Sequence, residues 1–174
     1  MAEEVTGVIT MRGNPMTLIG KTVKVGDAAP ELHLTGGDMK PVSLDDVTAN
    51  GTRNALLIVV PSLDTGVCSL ESKTFNGRVE ELGDGAKAYV VSMDLPMAMG
   101  RWAGAEGVAE LTMLSDFKSH EFGTAYGLRI KEIGLLARAN VVIGKDKRIK
   151  YVEIVPEVTT EPNYDATIAA TKAA

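Results

Sequence analysis

The chain has 174 residues, of which 45% are hydrophobic and 24% are charged, and its formal net charge is −5. These values are typical of a single globular domain over residues 1–174, and the acidic balance argues against nucleic acid or an anionic membrane surface as a partner. The single cysteine excludes an intramolecular disulfide, and no apolar run is long enough to span a membrane. The first residues, MAEEVTGVITMRGNP, open acidic and lack the apolar region of a secretory signal, so we expect none here. We therefore expect a cytoplasmic protein.

The first third of the chain predicts a hairpin followed by loops around one short strand. The segments VTGVITM and MTLIGKTV flank RGNP, a turn signal. Glycine, proline and aspartate are frequent in the next thirty residues, where ELHLT alternates like a strand and SLDDV indicates a short helical turn. ALLIVV, residues 55–60, then forms a compact apolar run typical of a strand buried on both faces.

The middle of the chain alternates between helical and strand patterns. After the buried strand, Leu70, Val79 and Leu82 fall near one face of a predicted helix with Phe75 beside them, and GDGAK ends it. Three elements follow: a second buried strand over 86–94, a helix weakened by glycines over 96–111, and a short strand over 112–116.

The last third predicts a helical turn, a hairpin and a closing helix. KSHEFGTAYGL gives the turn, and LARANVVIGKDKRIKYVEIV gives two strands joined at 144–147. EPNYDATIAATKAA closes the chain as a helix with Pro162 near its first turn, where proline is tolerated. This order of elements predicts an α/β or α+β layer fold with a mixed sheet.

Cys68 lies in PSLDTGVC, between the first buried strand and the next helix. Pro61 ends the hydrogen-bond ladder of the strand, and Asp64 or Thr65 can serve as the helix N-cap. Either cap places Cys68 in the first helical turn, where free N–H groups and the helix dipole favour an anion such as a thiolate. A lone cysteine is also a common small core residue, so position alone leaves both interpretations open.

Pro61, Thr65 and Cys68 form P-x-x-x-T-x-x-C, which resembles the peroxidatic motif of peroxiredoxins. The longer string PSLDTGVCSLESKTFN is similar to the thiol peroxidases, the atypical two-cysteine branch of that superfamily. Further segments similar to this branch follow in the expected order along almost the whole chain: RGNPMTLIGK, APELHLTGGDMKPVSLDD, SMDLPMAMGRWAGAEG, LSDFKSHEFGTAYGL, LLARANVVIGKD and VPEVTTEPNYDA.

The resemblance implies an α/β fold of the thioredoxin-like type, a mixed sheet flanked by helices with an added N-terminal hairpin. It also implies thiol-dependent reduction of hydrogen peroxide and alkyl hydroperoxides. Cys68 would be the peroxidatic thiolate, which attacks the O–O bond and becomes a sulfenic acid. Thr65 would hydrogen-bond to the thiolate and the peroxide, and Pro61 would shield the pocket. Arg138, the arginine of LARAN, would donate to the sulfur and to a peroxide oxygen. A homodimer, with thioredoxin or another thiol as the reductant, is also implied.

One position departs from this branch, because the resemblance places its resolving cysteine at Ala103. Alanine cannot capture a sulfenic acid, so an external thiol must reduce Cys68: thioredoxin, glutathione, a glutaredoxin or another small thiol. Trp102, where phenylalanine is expected, is a second difference, and Ala103 is either natural or an introduced replacement. The alternative function is a redox sensor or binding protein that keeps the fold without turnover.

The other polar residues give weaker signals. His33 and His120 lack metal-ligand spacing, and the GGD and GDG turns lack the context of a dinucleotide site, so we expect neither a metal nor a cofactor. Asp64 is expected to cap a helix, and Lys118 is assigned no role. Four methionines predict adaptable packing, with an apolar approach for alkyl hydroperoxides as the alternative: Met93, Met97, Met99 and Met113.

Overall fold

The computed structural model describes residues 2–174. Its secondary structure follows the predicted order of elements, with two further two-residue strands at Pro41–Val42 and Arg129–Ile130 that the sequence did not predict. The strands in this range are β1 (Glu4–Met11), β2 (Asn14–Ile19), β3 (Leu34–Gly36), β4 (Pro41–Val42), β5 (Asn54–Val59), β6 (Ala86–Ser92), β7 (Thr112–Ser115), β8 (Arg129–Ile130), β9 (Ala139–Ile143) and β10 (Ile149–Ile154). The helices are α1 (Leu44–Val47), α2 (Gly66–Gly77), α3 (Pro96–Glu106), α4 (Glu121–Ala125) and α5 (Tyr164–Ala173), with a 3₁₀ turn at Val79–Leu82.

The main sheet in this part of the chain has seven strands in the order β10-β9-β5-β6-β7-β3-β4. β5, β6 and β7 run parallel, whereas β9 and β3 pair antiparallel to the outer parallel strands. The parallel strands are connected through α2 and α3, as crossover connections require. The predicted mixed sheet with flanking helices is therefore confirmed.

β5 lies near the centre of this sheet, and all six of its residues are buried. Ala55, Leu57 and Val59 join one apolar cluster, which includes side chains from α1 and α4. Leu56 and Ile58 join a second cluster, which includes side chains from α2, α3 and α5. The alternation confirms a strand that is buried on both faces.

The N-terminal hairpin is confirmed, and it forms a small sheet in the order β1-β2-β8. Its turn is Arg12 and Gly13, both with positive φ of 50° and 79°, which is the conformation that a two-residue hairpin turn requires. The predicted RGNP turn is thus shorter than expected, because Asn14 and Pro15 already belong to β2. Val158 N donates to Thr10 O at 2.9 Å and joins the hairpin to the loop after β10.

The helix predicted after β5 is present, but the prediction of its buried face is wrong. α2 ends at Gly77, so Val79 and Leu82 belong to the separate 3₁₀ turn, and Leu70 is 47% exposed. The face that packs on the sheet carries polar side chains, so the spacing of apolar residues does not identify it. Its residues follow helical spacing: Cys68, Glu71, Ser72 and Phe75.

Two smaller features concern the ELHLT segment and Trp102. The strand in ELHLT is shorter and later than predicted, because pairing with β4 begins only at Leu34, opposite Val42. Trp102, the second difference from the thiol peroxidase branch, is buried on α3 within the second cluster. None of the helices in residues 2–174 has the length and apolar character needed to cross a bilayer.

Candidate active site

The register of the sheet brings Arg138 beside the strand that leads to Cys68. Val59, the last residue of β5, pairs with Ala139, the first residue of β9, in an antiparallel arrangement. Pro61 follows the end of β5 and Arg138 precedes the start of β9. Two segments far apart in sequence therefore meet at one edge of the sheet, where α2 begins.

The loop between β5 and α2 is held by Asp94, which lies just after β6. Ser62 Oγ donates to its carboxylate at 2.7 Å and Leu63 N at 2.8 Å, and Ser92 Oγ donates to the same group at 2.8 Å. Asp94 is not among the site residues predicted from the sequence. The signal was present, since β5 and β6 are parallel and the carboxyl ends of parallel strands meet at the same edge.

Thr65 is the N-cap residue of α2, and Cys68 therefore lies in its first turn as predicted. The predicted side-chain capping is wrong, because Thr65 makes no cap hydrogen bond and Asp64 is not the cap residue. Thr65 Oγ1 lies 2.7 Å from Cys68 Sγ and 2.9 Å from Ser62 O. A hydroxyl has one proton, so Thr65 donates to the sulfur when the sulfur is a thiolate, which can only accept.

Arg138 is 2% exposed, and its guanidinium donates hydrogen bonds to three different groups. Nη2 donates to Cys68 Sγ at 3.3 Å, Nη1 donates to Glu71 Oε2, and Nε donates to Val158 O at 3.0 Å. Burial lowers the pKa of Arg138, but the neighbouring Glu71 and Cys68 outweigh burial and raise it. The group is therefore a fixed cation beside the sulfur.

Glu71 is a second residue that the sequence analysis missed. It is fully buried, and its Oε1 has no hydrogen-bond partner among the described residues. Burial raises the pKa of Glu71 from 4.5 to about 7, and Arg138 opposes that shift. The spacing gave a signal, because residues three apart on a helix share a face and Cys68 is three residues earlier.

A cavity of about 660 Å³ opens beside these groups, although Cys68 itself is fully buried. Three predicted site residues line it: Pro61, Thr65 and Arg138. The hairpin forms another wall, through Met11, Arg12, Asn14 and Met16. The four methionines Met93, Met97, Met99 and Met113 are absent from the lining, so the alternative that they form the apolar approach is wrong. Three of them pack in or against the apolar clusters, in agreement with the predicted packing: Met93, Met99 and Met113.

A family model described as Redoxin matches residues 24–168. The chain belongs to the Redoxin family. The thiol peroxidase of Halalkalibacterium halodurans is 46% identical over 166 residues, which cover 95% of this redoxin and 98% of that protein. The thiol peroxidase of Bacillus subtilis is 42% identical over 165 residues, covering 95% and 96% of the two chains.

The crystal structure of a peroxiredoxin-like protein from Aquifex aeolicus superposes on this redoxin with a TM-score of 0.87 and 37% identity. The superposition covers 97% of this redoxin and 98% of that chain. Together with the curated relatives, it confirms the predicted membership of the peroxiredoxin superfamily and the thioredoxin-like fold. Ala103, the residue at the predicted resolving position, is partly buried on α3 and packs against the second apolar cluster.

Proposed function

We propose that this redoxin is a thiol peroxidase that reduces hydrogen peroxide and alkyl hydroperoxides through Cys68. One observation carries the proposal: Thr65 Oγ1 at 2.7 Å and Arg138 Nη2 at 3.3 Å converge on a single buried sulfur beside a cavity. The curated relatives named thiol peroxidase, which match over nearly their full length, support the same activity.

In the first step the thiolate of Cys68 attacks the terminal oxygen of ROOH. The S–O bond forms while the O–O bond breaks, so the sulfur is oxidised to a sulfenic acid and the leaving alkoxide takes up a proton to become ROH. Thr65 and Arg138 are placed to donate to the sulfur and to the charge that develops on the leaving oxygen. Pro61, on the cavity wall, limits access of water.

An external thiol completes the cycle, because the chain has one cysteine. The thiol R′SH attacks the sulfenic acid, forms a mixed disulfide with Cys68 and releases water. A second thiol then releases R′SSR′ and restores Cys68. Thioredoxin or another thiol is the proposed reductant, since Ala103 provides no resolving sulfur in this chain.

We also propose a domain organisation, a cellular compartment and an oligomeric state for the enzyme. We take residues 1–174 as one peroxiredoxin domain that acts in the cytoplasm as a homodimer and needs no metal or other cofactor. The absence of a second cysteine supports a reducing compartment, because the fold then depends on no disulfide. The dimer rests on the likeness to the peroxiredoxin superfamily.

The test is the intact mass of the reduced protein after one equivalent of cumene hydroperoxide, followed by addition of a thiol. We expect a gain of one oxygen that maps to Cys68 and is reversed by the thiol, and no gain in Cys68→Ser. An unchanged mass of the wild-type protein at neutral pH would overturn the proposal. Steady turnover with a thiol distinguishes the enzyme from a protein that only stores the oxidised state.

A further inference from the structure

Two potential anions share one cation in the buried cluster behind the cavity. Arg138 donates to Cys68 Sγ and to Glu71 Oε2, and the three residues are 2%, 0% and 0% exposed. If the thiolate and the carboxylate were both ionised, the cluster would hold a net charge of −1 away from water. Because a buried charge without a counter-charge is costly, one proton should remain in the cluster.

Glu71 offers an atom on which this proton can reside. Its Oε2 accepts from Arg138, whereas its Oε1 has no partner among residues 2–174. A buried carboxylate oxygen without a donor is unfavourable, and protonation removes that charge. The sulfur, in contrast, has two donors, Thr65 and Arg138, which favour its anionic form.

We propose that Glu71 holds a proton while Cys68 is a thiolate and loses it when the peroxide oxidises the sulfur. This inference rests on the peroxidase function proposed above. Glu71-COOH, Cys68-S⁻ and ROOH give Glu71-COO⁻, Cys68-SOH and ROH. The sulfur loses two electrons to the O–O bond, the alkoxide gains one proton and Glu71 loses one. The buried cluster is therefore neutral before and after the reaction.

The other acidic groups near Glu71 also favour a proton on Glu71 rather than on Cys68. Glu153 on β10 and Glu161 before α5 add negative charge, which raises the pKa of Glu71 further after burial has raised it. Tyr164 on α5 is also near, and its pKa is raised to a value above the neutral range, so it is uncharged there. Arg138 opposes these effects, because its positive charge lowers the pKa of Glu71. Once the sulfur is oxidised and uncharged, the whole charge of Arg138 stabilises the Glu71 carboxylate.

The first measurement is proton uptake during oxidation, followed with a pH indicator in weak buffer at slightly acidic pH. The reduced protein receives one equivalent of cumene hydroperoxide, and mass spectrometry counts the oxidised Cys68. The wild-type protein should take up almost no proton for each oxidised sulfur. Glu71→Gln should take up one, because its alkoxide must obtain the proton from solvent. Equal uptake by the two proteins would overturn the inference.

The second measurement is the oxidised-minus-reduced infrared difference spectrum of the wild-type protein. Loss of a carboxylic-acid C=O band on oxidation is expected, and Glu71→Gln should lack this change. A wild-type spectrum without the change, in a sample whose Cys68 is oxidised, would overturn the inference even if Glu71→Gln does not fold. Failure of Cys68 to gain an oxygen would instead overturn the peroxidase function.

Glu106→Gln is the matched control for both measurements. Glu106 of α3 is a partly exposed carboxylate that accepts from Lys73 of α2 at 2.8 Å. Its replacement therefore changes an ion pair of the helix that carries Glu71, but outside the buried cluster. This variant should behave as the wild-type protein in proton uptake and in the infrared spectrum. A change as large as that of Glu71→Gln would show a general effect of acidic residues and would overturn the assignment to Glu71.

Discussion

Arg138 and Cys68 are joined by a direct contact of 3.3 Å between Nη2 and Sγ, although seventy residues separate them in the chain. The opposite nitrogen of the same guanidinium donates to Glu71, and Nε donates to the carbonyl of Val158. The three partners fix the plane of the guanidinium, so its charge cannot turn away from the sulfur. This geometry makes the site sensitive to small changes in side-chain shape.

Arg138→Lys should lower the second-order rate of Cys68 oxidation by about 10²–10³-fold, because a lysine keeps the charge but loses the planar fork of donors. The measurement is stopped-flow oxidation by hydrogen peroxide. Arg12→Lys is the control, since Arg12 lines the cavity without contacting the sulfur, and its rate should be unchanged. A wild-type rate in Arg138→Lys would contradict the proposed role.

Thr65→Val should slow the same oxidation by roughly 10–100-fold, the effect of losing one hydrogen bond to a charged group. The valine has the shape of threonine but no hydroxyl to donate to Sγ, which lies 2.7 Å from Oγ1. Thr65→Ser keeps the hydroxyl and should stay close to the wild-type rate. If the serine and valine variants are slowed equally, the threonine acts through packing and not through donation.

Arg138→Met should reduce the free energy of unfolding by about 3–5 kcal/mol, since without the guanidinium Cys68 and Glu71 lose their shared donor and counter-charge and can be buried only in their protonated forms. Adding Glu71→Gln to that variant should restore most of the loss, because the amide is neutral at every pH and needs no proton from solvent before it is buried. Urea denaturation at neutral pH measures both. A double variant as unstable as the single one would show that the loss comes from packing of the arginine side chain.

Glu71→Gln should gain stability relative to the wild-type protein as pH rises from 4.5 to about 7. The pKa of Glu71 is raised in the folded protein, so the folded state binds more protons than the unfolded state in this interval and loses stability as pH increases. The relative gain should be on the order of 1–3 kcal/mol. Urea denaturation across this pH range gives the value, and a constant difference between the proteins would contradict it.

Met11→Glu should lower the rate with cumene hydroperoxide about tenfold or more relative to that with hydrogen peroxide, because it places a charge on a cavity wall where we expect the alkyl group to bind. Met97→Glu is the control, since Met97 is 60% exposed and is not part of the cavity wall. The ratio of the two rates is the measured quantity. An unchanged ratio in Met11→Glu would mean that the alkyl group binds elsewhere.

Most of the order of elements and the local setting of Cys68 can be predicted from the amino-acid sequence. β5 is recognisable because an uninterrupted apolar run forms a strand buried on both faces, and the following helix start is recognisable from Pro61 and the N-cap candidates Asp64 and Thr65. These features depend on hydrogen bonding and hydrophobic spacing among neighbouring residues. Pro61, Thr65 and Cys68 all lie within that short segment.

The partners that surround the sulfur are known only from the folded chain. The antiparallel register of Val59 with Ala139 brings Arg138 to the start of α2, and no local pattern specifies that register. The structure likewise decided that α2 buries Glu71 and exposes Leu70, because the buried helix face carries the ion-pair partner of Arg138. The raised pKa of Glu71 follows from burial among residues that are distant in sequence, and it therefore becomes visible only when the chain is folded.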